Sequence, residues 1–394
     1  MNILFISAVF PYPLFSGGQV RIYNLLKRLS KDHTITLYSF IRRKEEQNLV
    51  KHVSFLKAVH LYDRGYVWQP KYVLRSLTSS LPLLLSSYEN AQMKEDIAND
   101  LIHNFYDLVH IEPFYVMPSV PSDLPCPLVV SEHNIEYDVY QSYVSQFPIP
   151  LLRPLFSVDI KKIRLHEEAA WKKAKKIITV SNTDADTVRL IGKKEHVSVL
   201  PNAVDTQYIP FTKRFFNHKD LRFLFVGNFL WMPNTKAVEV LLLKIWPLVK
   251  SRFPQAKLRI IGKHLPEALQ KKAFDTGVDY DAYVEEIRTE YKKATILIAP
   301  MTIAGGTKFK MLEAMASGCL VMTTKEGMEG IDAQDHIHYL QATNPESYGV
   351  LVEELIRKKN IFENIVTDAR TLIEKKYTWD AIANMQSQVW KKAV

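Results

Sequence analysis

The chain has 394 residues, 47% of them hydrophobic and 24% charged, with a formal net charge of +9. That length is too great for one typical core and predicts two domains, or three, while the ordinary globular composition excludes a disordered or collagen-like chain. No apolar run reaches the ~18–20 residues that span a bilayer, and the positive charge points to anionic partners (phosphate substrates, acidic lipid or nucleic acid) without choosing among them.

The sequence opens on MNILFISAVFPYP. It shows no charged leader before the apolar run and no small-residue cleavage site, so it predicts a first strand over residues 2–9 and a chain kept inside the cell. Proline and glycine punctuation follows, and then an amphipathic helix with Val20, Leu25, Leu26 and Leu29 facing inward. This is the first half of a Rossmann-type unit. Gly17 and Gly18 stand just before that helix, where their N–H groups either approach a ligand phosphate or sugar or simply make a turn. His33–Phe40 supplies a second strand and Val53–Tyr62 a third.

From Gly65 to Met93 the pattern mixes aromatic, basic and serine residues with an apolar cluster at Leu81–Leu85. It suits a surface helical excursion, either a packed insertion or a lid or membrane contact. Leu108–Glu112 and Pro127–Ser131 read as parallel strands. Strand ends line the crevice of an open α/β sheet, which displays His133, and by the same argument Glu112, where chemistry would happen. The competing reading of a lone histidine is a structural hydrogen bonder. A long helix runs from about Pro150 to Lys175 and contains the densest basic run, KKIRLHEEAAWKKAKK. It is either a solvated face or a membrane-facing one.

KKIITVS and VSVLPNAVD each give a strand, and Pro201 to Asp220 reads as a linker. From Leu221 the pattern restarts: LRFLFVGN is a strand and glycine turn, WMPNTKAVEVLLLKIW leads into a helix, and AKLRIIGK is a strand with another glycine turn. Two such halves have a natural binding cleft between them. Lys236, after Gly227-Asn228, is placed either to neutralise a diphosphate or as a surface lysine. Asp279-Tyr280-Asp281 reads as a strand edge away from the glycine loop and so poorly placed to be a metal site, and Cys126 and Cys319, far apart and outside any CxxC context, read as small core hydrophobes.

Ile296 to Gly330 then runs strand, glycine loop, helix, strand. Thr295–Pro300 is apolar and β-branched, Gly305-Gly306-Thr307 breaks it, and Met311, Leu312 and Met315 fall at helical spacing before Gly318. A glycine loop feeding a helix N-terminus leaves backbone N–H groups at the positive end of the dipole, which suits a phosphate. Lys308 and Lys310 add full positive charge there, and Glu313 is a carboxylate placed for ribose hydroxyls. The alternative is a βαβ unit whose glycines only turn the chain. From Ser347 onward the pattern is helical, and residues 376–394 close with an amphipathic helix carrying Trp379 and Trp390. No zinc-finger spacing or RNA-binding aromatic signature is found, so nucleic acid is not expected as a partner.

VSVLPNAVD, FVGNFLWMPN, VDYDAYVEEI and APMTIAGGTKFKMLEAMASGCLVMTT, in this order and spacing, resemble the family 4 glycosyltransferases. The resemblance is strongest from about Val197 to Gly330. It implies the GT-B fold: an α/β protein of two Rossmann-like domains facing a central cleft. The domains would be an acceptor domain over residues 1–205, a nucleotide-sugar donor domain over 206–375 and a helix over 376–394 packing back on the first. It also implies a hexosyltransferase-like enzyme of polysaccharide or glycoconjugate biosynthesis, moving a sugar from a nucleotide diphosphate to a glycan, lipid-linked or other hydroxyl acceptor with retention. A cytoplasmic place, with peripheral contact at the inner membrane surface, and no essential metal or other cofactor go with that reading. A sugar-nucleotide epimerase and a non-catalytic nucleotide-sugar-binding subunit are the alternatives.

By the resemblance, Gly17 and Gly18 lie near the donor phosphate, His133 beside the transferred sugar, and Glu313 matches the second acid of an E-x7-E motif and would bind the ribose. His133 and Glu313 take the catalytic roles. Gly305 stands where the first acid would be, and Asn228 where many members place an arginine. Lys236, Gly306, Thr307, Lys308 and the loop amides would then carry the diphosphate charge.

Overall fold

The computed structural model describes residues 1–145, 153–191, 196–303, 306–358 and 360–394. The chain forms two units: Met1–Leu200 together with Ile382–Val394, and Pro201–Ala381.

The first unit is built on seven strands: β1 (Asn2–Ser7), β2 (Thr34–Ile41), β3 (Ala58–Asp63), β4 (Leu108–Glu112), β5 (Leu128–Ser131), β6 (Lys176–Thr179) and β7 (Val197–Val199). They pair in the order β3-β2-β1-β4-β5-β6-β7, parallel at every step. Ile3, Leu4, Phe5 and Ile6 of the central strand are all buried, as a strand covered on both faces requires. The helices are α1 (Gly17–Leu29), α2 (Pro70–Thr78), α3 (Leu83–Ser86), α4 (Ala91–His103), α5 (Glu136–Ser145), α6 (Arg153–Lys173) and α7 (Asn182–Ile191). The Gly65–Met93 stretch is therefore helical, with Pro70 at the first turn of α2 and Asn90 capping α4 by accepting from the Met93 N–H.

Two boundaries differ from the sequence reading. Gly17 and Gly18 do not precede α1 but open it, because Ser16 is the N-cap and its hydroxyl accepts the Gln19 N–H. The third strand starts at Ala58, since Lys44–Val53 winds as a 3₁₀ helix instead of extending.

The second unit carries β8 (Arg222–Val226), β9 (Lys257–Ile261), β10 (Asp279–Asp281), β11 (Ile296–Ala299), β12 (Leu320–Thr323) and β13 (Leu340–Gln341). Their order is β10-β9-β8-β11-β12-β13, again parallel. Its helices are α8 (Met232–Val240), α9 (Trp246–Arg252), α10 (Glu267–Asp275), α11 (Ile287–Lys293), α12 (Phe309–Ser317), α13 (Ser347–Arg357) and α14 (Ile361–Lys376). The helix expected from Trp231 to Trp246 is interrupted by a π-turn over Leu241–Ile245. α12 stops at Gly318, whose φ of +77° is the left-handed conformation glycine adopts at a helix C-terminus. The last helix, α15 (Trp379–Lys391), ends in the first unit, where Trp390 is fully buried. Cys319 is buried, Cys126 is partly so, and both are free thiols.

Candidate functional site

In each sheet the strand order reverses beside the first strand, between β1 and β4 and between β8 and β11. Loops that leave strand ends at such a reversal diverge to opposite faces and open a crevice, the usual ligand position in this class of sheet.

In the first unit that crevice receives the α1 N-terminus, Glu112 at the end of β4, and His133 just past β5. Glu112 is fully buried and surrounded by donors. His133 Nε2 lies 2.7 Å and Arg21 Nε 3.2 Å from its Oε1, while His110 Nε2 lies 3.1 Å from Oε2. Burial by itself would raise the carboxyl pKa. The hydrogen bonds from His110 and His133, with the charges of His133 and Arg21, outweigh it and hold Glu112 well below the usual carboxylate range. His133 keeps 20% of its side chain exposed, so it is both anchored and accessible. Its ring lies over Gly18, where an added Cβ would come 3.5 Å from both Nδ1 and Cε1. The glycine thus keeps open the space beside the free edge of the imidazole.

The His133 loop is pinned on both sides. Glu132 donates its N–H to the Ile178 carbonyl, and its side chain accepts from Trp171 Nε1 at 3.0 Å. Glu167 accepts the N–H groups of Glu136 and Tyr137 and so caps α5. Burial, with Glu167 adding to it, pushes the Glu132 carboxyl well above its ordinary range.

In the second unit the glycine loop follows β11 and α12 starts after Lys308, with no acidic side chain in its first turn. Gly306 has a φ of +57°, and Gly305 lies outside the described residues. Thr307 is buried, and its carbonyl accepts from Asn202 Nδ2 at 2.9 Å. Lys308 donates to the Glu326 carbonyl at 2.8 Å. Glu313 is partly exposed and accepts the Tyr291 hydroxyl at 2.8 Å. Burial raises its pKa, against the Tyr291 hydrogen bond and Lys310.

Lys310 does not carry the full charge that the sequence suggests. It is buried, its Nζ lies 2.7 Å from Asn234 Oδ1 and 4.2 Å from the Phe225 ring centroid, and burial lowers its pKa to about 7. Lys308 adds to that fall and Glu313 opposes it. Asn234 in turn donates to the Asn228 carbonyl at 2.8 Å and lies against Gly227. Asn228 is exposed and accepts the Leu230 N–H. Lys236 stands on α8, half exposed, 3.9 Å from Glu239. The lysine that meets the β8 turn is therefore Lys310. Asn234, Tyr291, Arg21 and His110 carry no motif signal of their own and emerge only from the fold. Asp279–Asp281 forms edge strand β10, where Asp281 pairs with Arg259 at 2.8 Å.

Residues 15–208 match the profile described as Glycosyltransferase Family 4, and residues 220–358 that of Glycosyl transferases group 1. A Klebsiella pneumoniae protein named as an uncharacterised 44.6 kDa protein in the cps region is 28% identical over 95% of this chain and 96% of its own. Sucrose-phosphate synthase from Thermosynechococcus elongatus superposes with a TM-score of 0.75 at 14% identity, covering 100% of this chain and 99% of its own. Anabaena HepE, solved with UDP and glucose, superposes with a TM-score of 0.69 at 13% identity over 100% of both chains. The chain belongs to the family 4 glycosyltransferases of GT-B type. It is a transferase enzyme.

Proposed function

We propose that the chain moves a sugar from a nucleotide-diphosphate donor to a hydroxyl of a glycan or lipid-linked acceptor, with retention of anomeric configuration. The observation that carries this reading is Glu313, held by Tyr291 one turn into a helix whose N-terminus follows Gly306 and is flanked by Lys308 and Lys310. A carboxylate one turn beyond a cationic helix start suits a ribose beside a diphosphate. Anabaena HepE, of like fold, was solved in complex with UDP-glucose.

Breaking the bond between sugar C1 and the diphosphate oxygen leaves negative charge on the phosphate and positive charge on the sugar. Preorganised amides and lysines stabilise the former, so the reading needs no essential metal. The acceptor oxygen bonds to C1 on the face the diphosphate leaves, and the acceptor proton passes to a departing phosphate oxygen. His133, its Nε2 committed to Glu112, offers its Nδ1 edge to the transferred sugar.

We place the acceptor at a membrane surface. From Arg64 to Tyr88 the chain has no acidic residue, while Tyr66, Trp68, Leu74 and Leu77 are exposed beside Lys71 and Arg75. Among the described residues no helix is long and apolar enough to cross a membrane, so such contact would be peripheral, at the cytoplasmic face.

Incubation with labelled UDP- and GDP-sugars tests the reaction. Acceptor-dependent nucleotide release, lost in Glu313→Ala and in Lys308→Ala, is expected. Release of a free isomerised sugar would make the chain an epimerase, and binding without turnover a non-catalytic subunit.

A further inference from the structure

The last helix reaches the candidate catalytic histidine through a continuous line of hydrogen bonds. Trp390 Nε1 lies 3.1 Å from His110 Nδ1, His110 Nε2 lies 3.1 Å from Glu112 Oε2, and Glu112 Oε1 lies 2.7 Å from His133 Nε2. Trp390, His110 and Glu112 are each fully buried, so water does not compete for these bonds.

The direction of each bond is fixed by chemistry. An indole nitrogen donates only, so His110 Nδ1 must accept and the ring proton of a neutral His110 sits on Nε2. Burial lowers the His110 pKa, against its bond to Glu112, which keeps the ring neutral. Nε2–H then donates to Glu112. An ionised carboxylate accepts only, so His133 must donate from Nε2, and whenever its ring is neutral the lone pair lies on Nδ1, the edge over Gly18. The opposite His110 tautomer would set N–H against N–H at Trp390 and a lone pair against a carboxylate oxygen at Glu112. The Phe5 ring, stacked on His110 at 4.5 Å, restricts its rotation.

We propose that Trp390 is a positioning residue for His133: by holding Nδ1 of His110 it fixes the tautomer through which His110 and Glu112 orient the His133 ring. The proposal rests on the reading of His133 as part of the transfer site. The titratable groups in this line are Arg21 from α1, His110 and Glu112 from β4, and His133 after β5. His33 meets the Trp390 ring edge-on at 5.3 Å.

The test uses the full chain with ¹⁵N-labelled histidine and reads imidazole tautomers by NMR. Wild-type His110 is expected as the Nε2–H form, and Trp390→Phe, which keeps most of the buried ring, as a mixture with Nδ1–H. In transfer assays Trp390→Phe should lower kcat by about tenfold, with donor KM changed less than about twofold, the scale of losing an outer partner that fixes a tautomer. His110→Gln replaces Nε2–H by an amide donor with no tautomer to choose. In that background Trp390→Phe should lower kcat no further. An unchanged His110 signature in Trp390→Phe, or an equal kcat loss in both backgrounds, would overturn the proposal. The NMR arm reads the relay even if the wild-type chain transfers no sugar, an outcome that would count against the transferase reading alone.

Discussion

The amino group of Lys310 and the side-chain oxygen of Asn234 lie 2.7 Å apart, joining the start of α12 to the first turn of α8. Burial lowers this lysine to about 7, so near neutrality it is charged in only part of the molecules. A bound diphosphate would favour the charged form and raise its pKa. Donor binding above pH 7 should therefore take up a proton, and affinity should fall as pH rises from about 7. Calorimetry in buffers of different ionisation enthalpy measures that uptake. Lys310→Met should remove it and weaken donor binding by about ten- to hundredfold, the loss of one charge-assisted hydrogen bond.

The same shift has a consequence for folding. In the unfolded chain Lys310 titrates near its ordinary 10.5, in the folded one near 7, so between these values the unfolded state binds more protons. This lysine therefore makes the unliganded protein more stable as pH rises from 7 towards 10.5. Lys310→Met should flatten that part of a urea-melt pH profile.

Tyr291 supports Glu313 through one hydrogen bond, and that bond is among the interactions that lower the carboxyl pKa against burial. Tyr291→Phe should move the acid limb of donor binding to higher pH, with the binding site otherwise intact. A limb displaced to lower pH would contradict the assigned geometry.

Gly262 has a φ of +148°, and a Cβ there would come 1.6 Å from the Gly227 carbonyl oxygen. Gly262→Ala should destabilise the second unit by on the order of 3 kcal/mol, at the upper end for a strained backbone site. Gly277→Ala, with a φ of +64° but nothing within 4 Å, should cost only about 1–2 kcal/mol. Urea unfolding of the two variants provides the comparison.

The face carrying Trp68, Leu74 and Leu77 should bind vesicles containing anionic lipid more strongly than neutral ones, and less strongly as salt rises. Replacing all three by serine should abolish flotation with the vesicles while leaving donor binding unchanged. Equal flotation of the variant would remove the membrane reading and leave a solvated surface.

The strands and the glycine loops were legible in the chain because buried parallel strands are written as short apolar runs and glycine marks the turns after them. His133 and Glu313 were legible because each follows such a signal at close spacing. Glu112, the partner of His133, was legible at its strand end, but the contacts that Arg21, His110, Tyr291, Asn234 and Trp390 make were not. Trp390 meets His110 across 280 residues and Lys310 meets Asn234 across 76, and no local pattern encodes either meeting. The charge state of Lys310 was misread for the same reason, since burial is a property of the packed unit. The Leu241–Ile245 π-turn does have a local sign, Pro247 just after it, whose missing N–H breaks the α-helical ladder although the apolar spacing runs on.

Whether the α12 start and Glu313 form a nucleotide-sugar site is read by calorimetric titration of the wild-type chain and Glu313→Ala with a panel of UDP- and GDP-sugars. Saturable binding of at least one donor by the wild type is expected, with a loss of about tenfold or more in the variant, as for removal of a charged hydrogen-bond acceptor. Equal affinity in both proteins, or no binding to any donor by the wild type, would contradict a nucleotide-sugar site there.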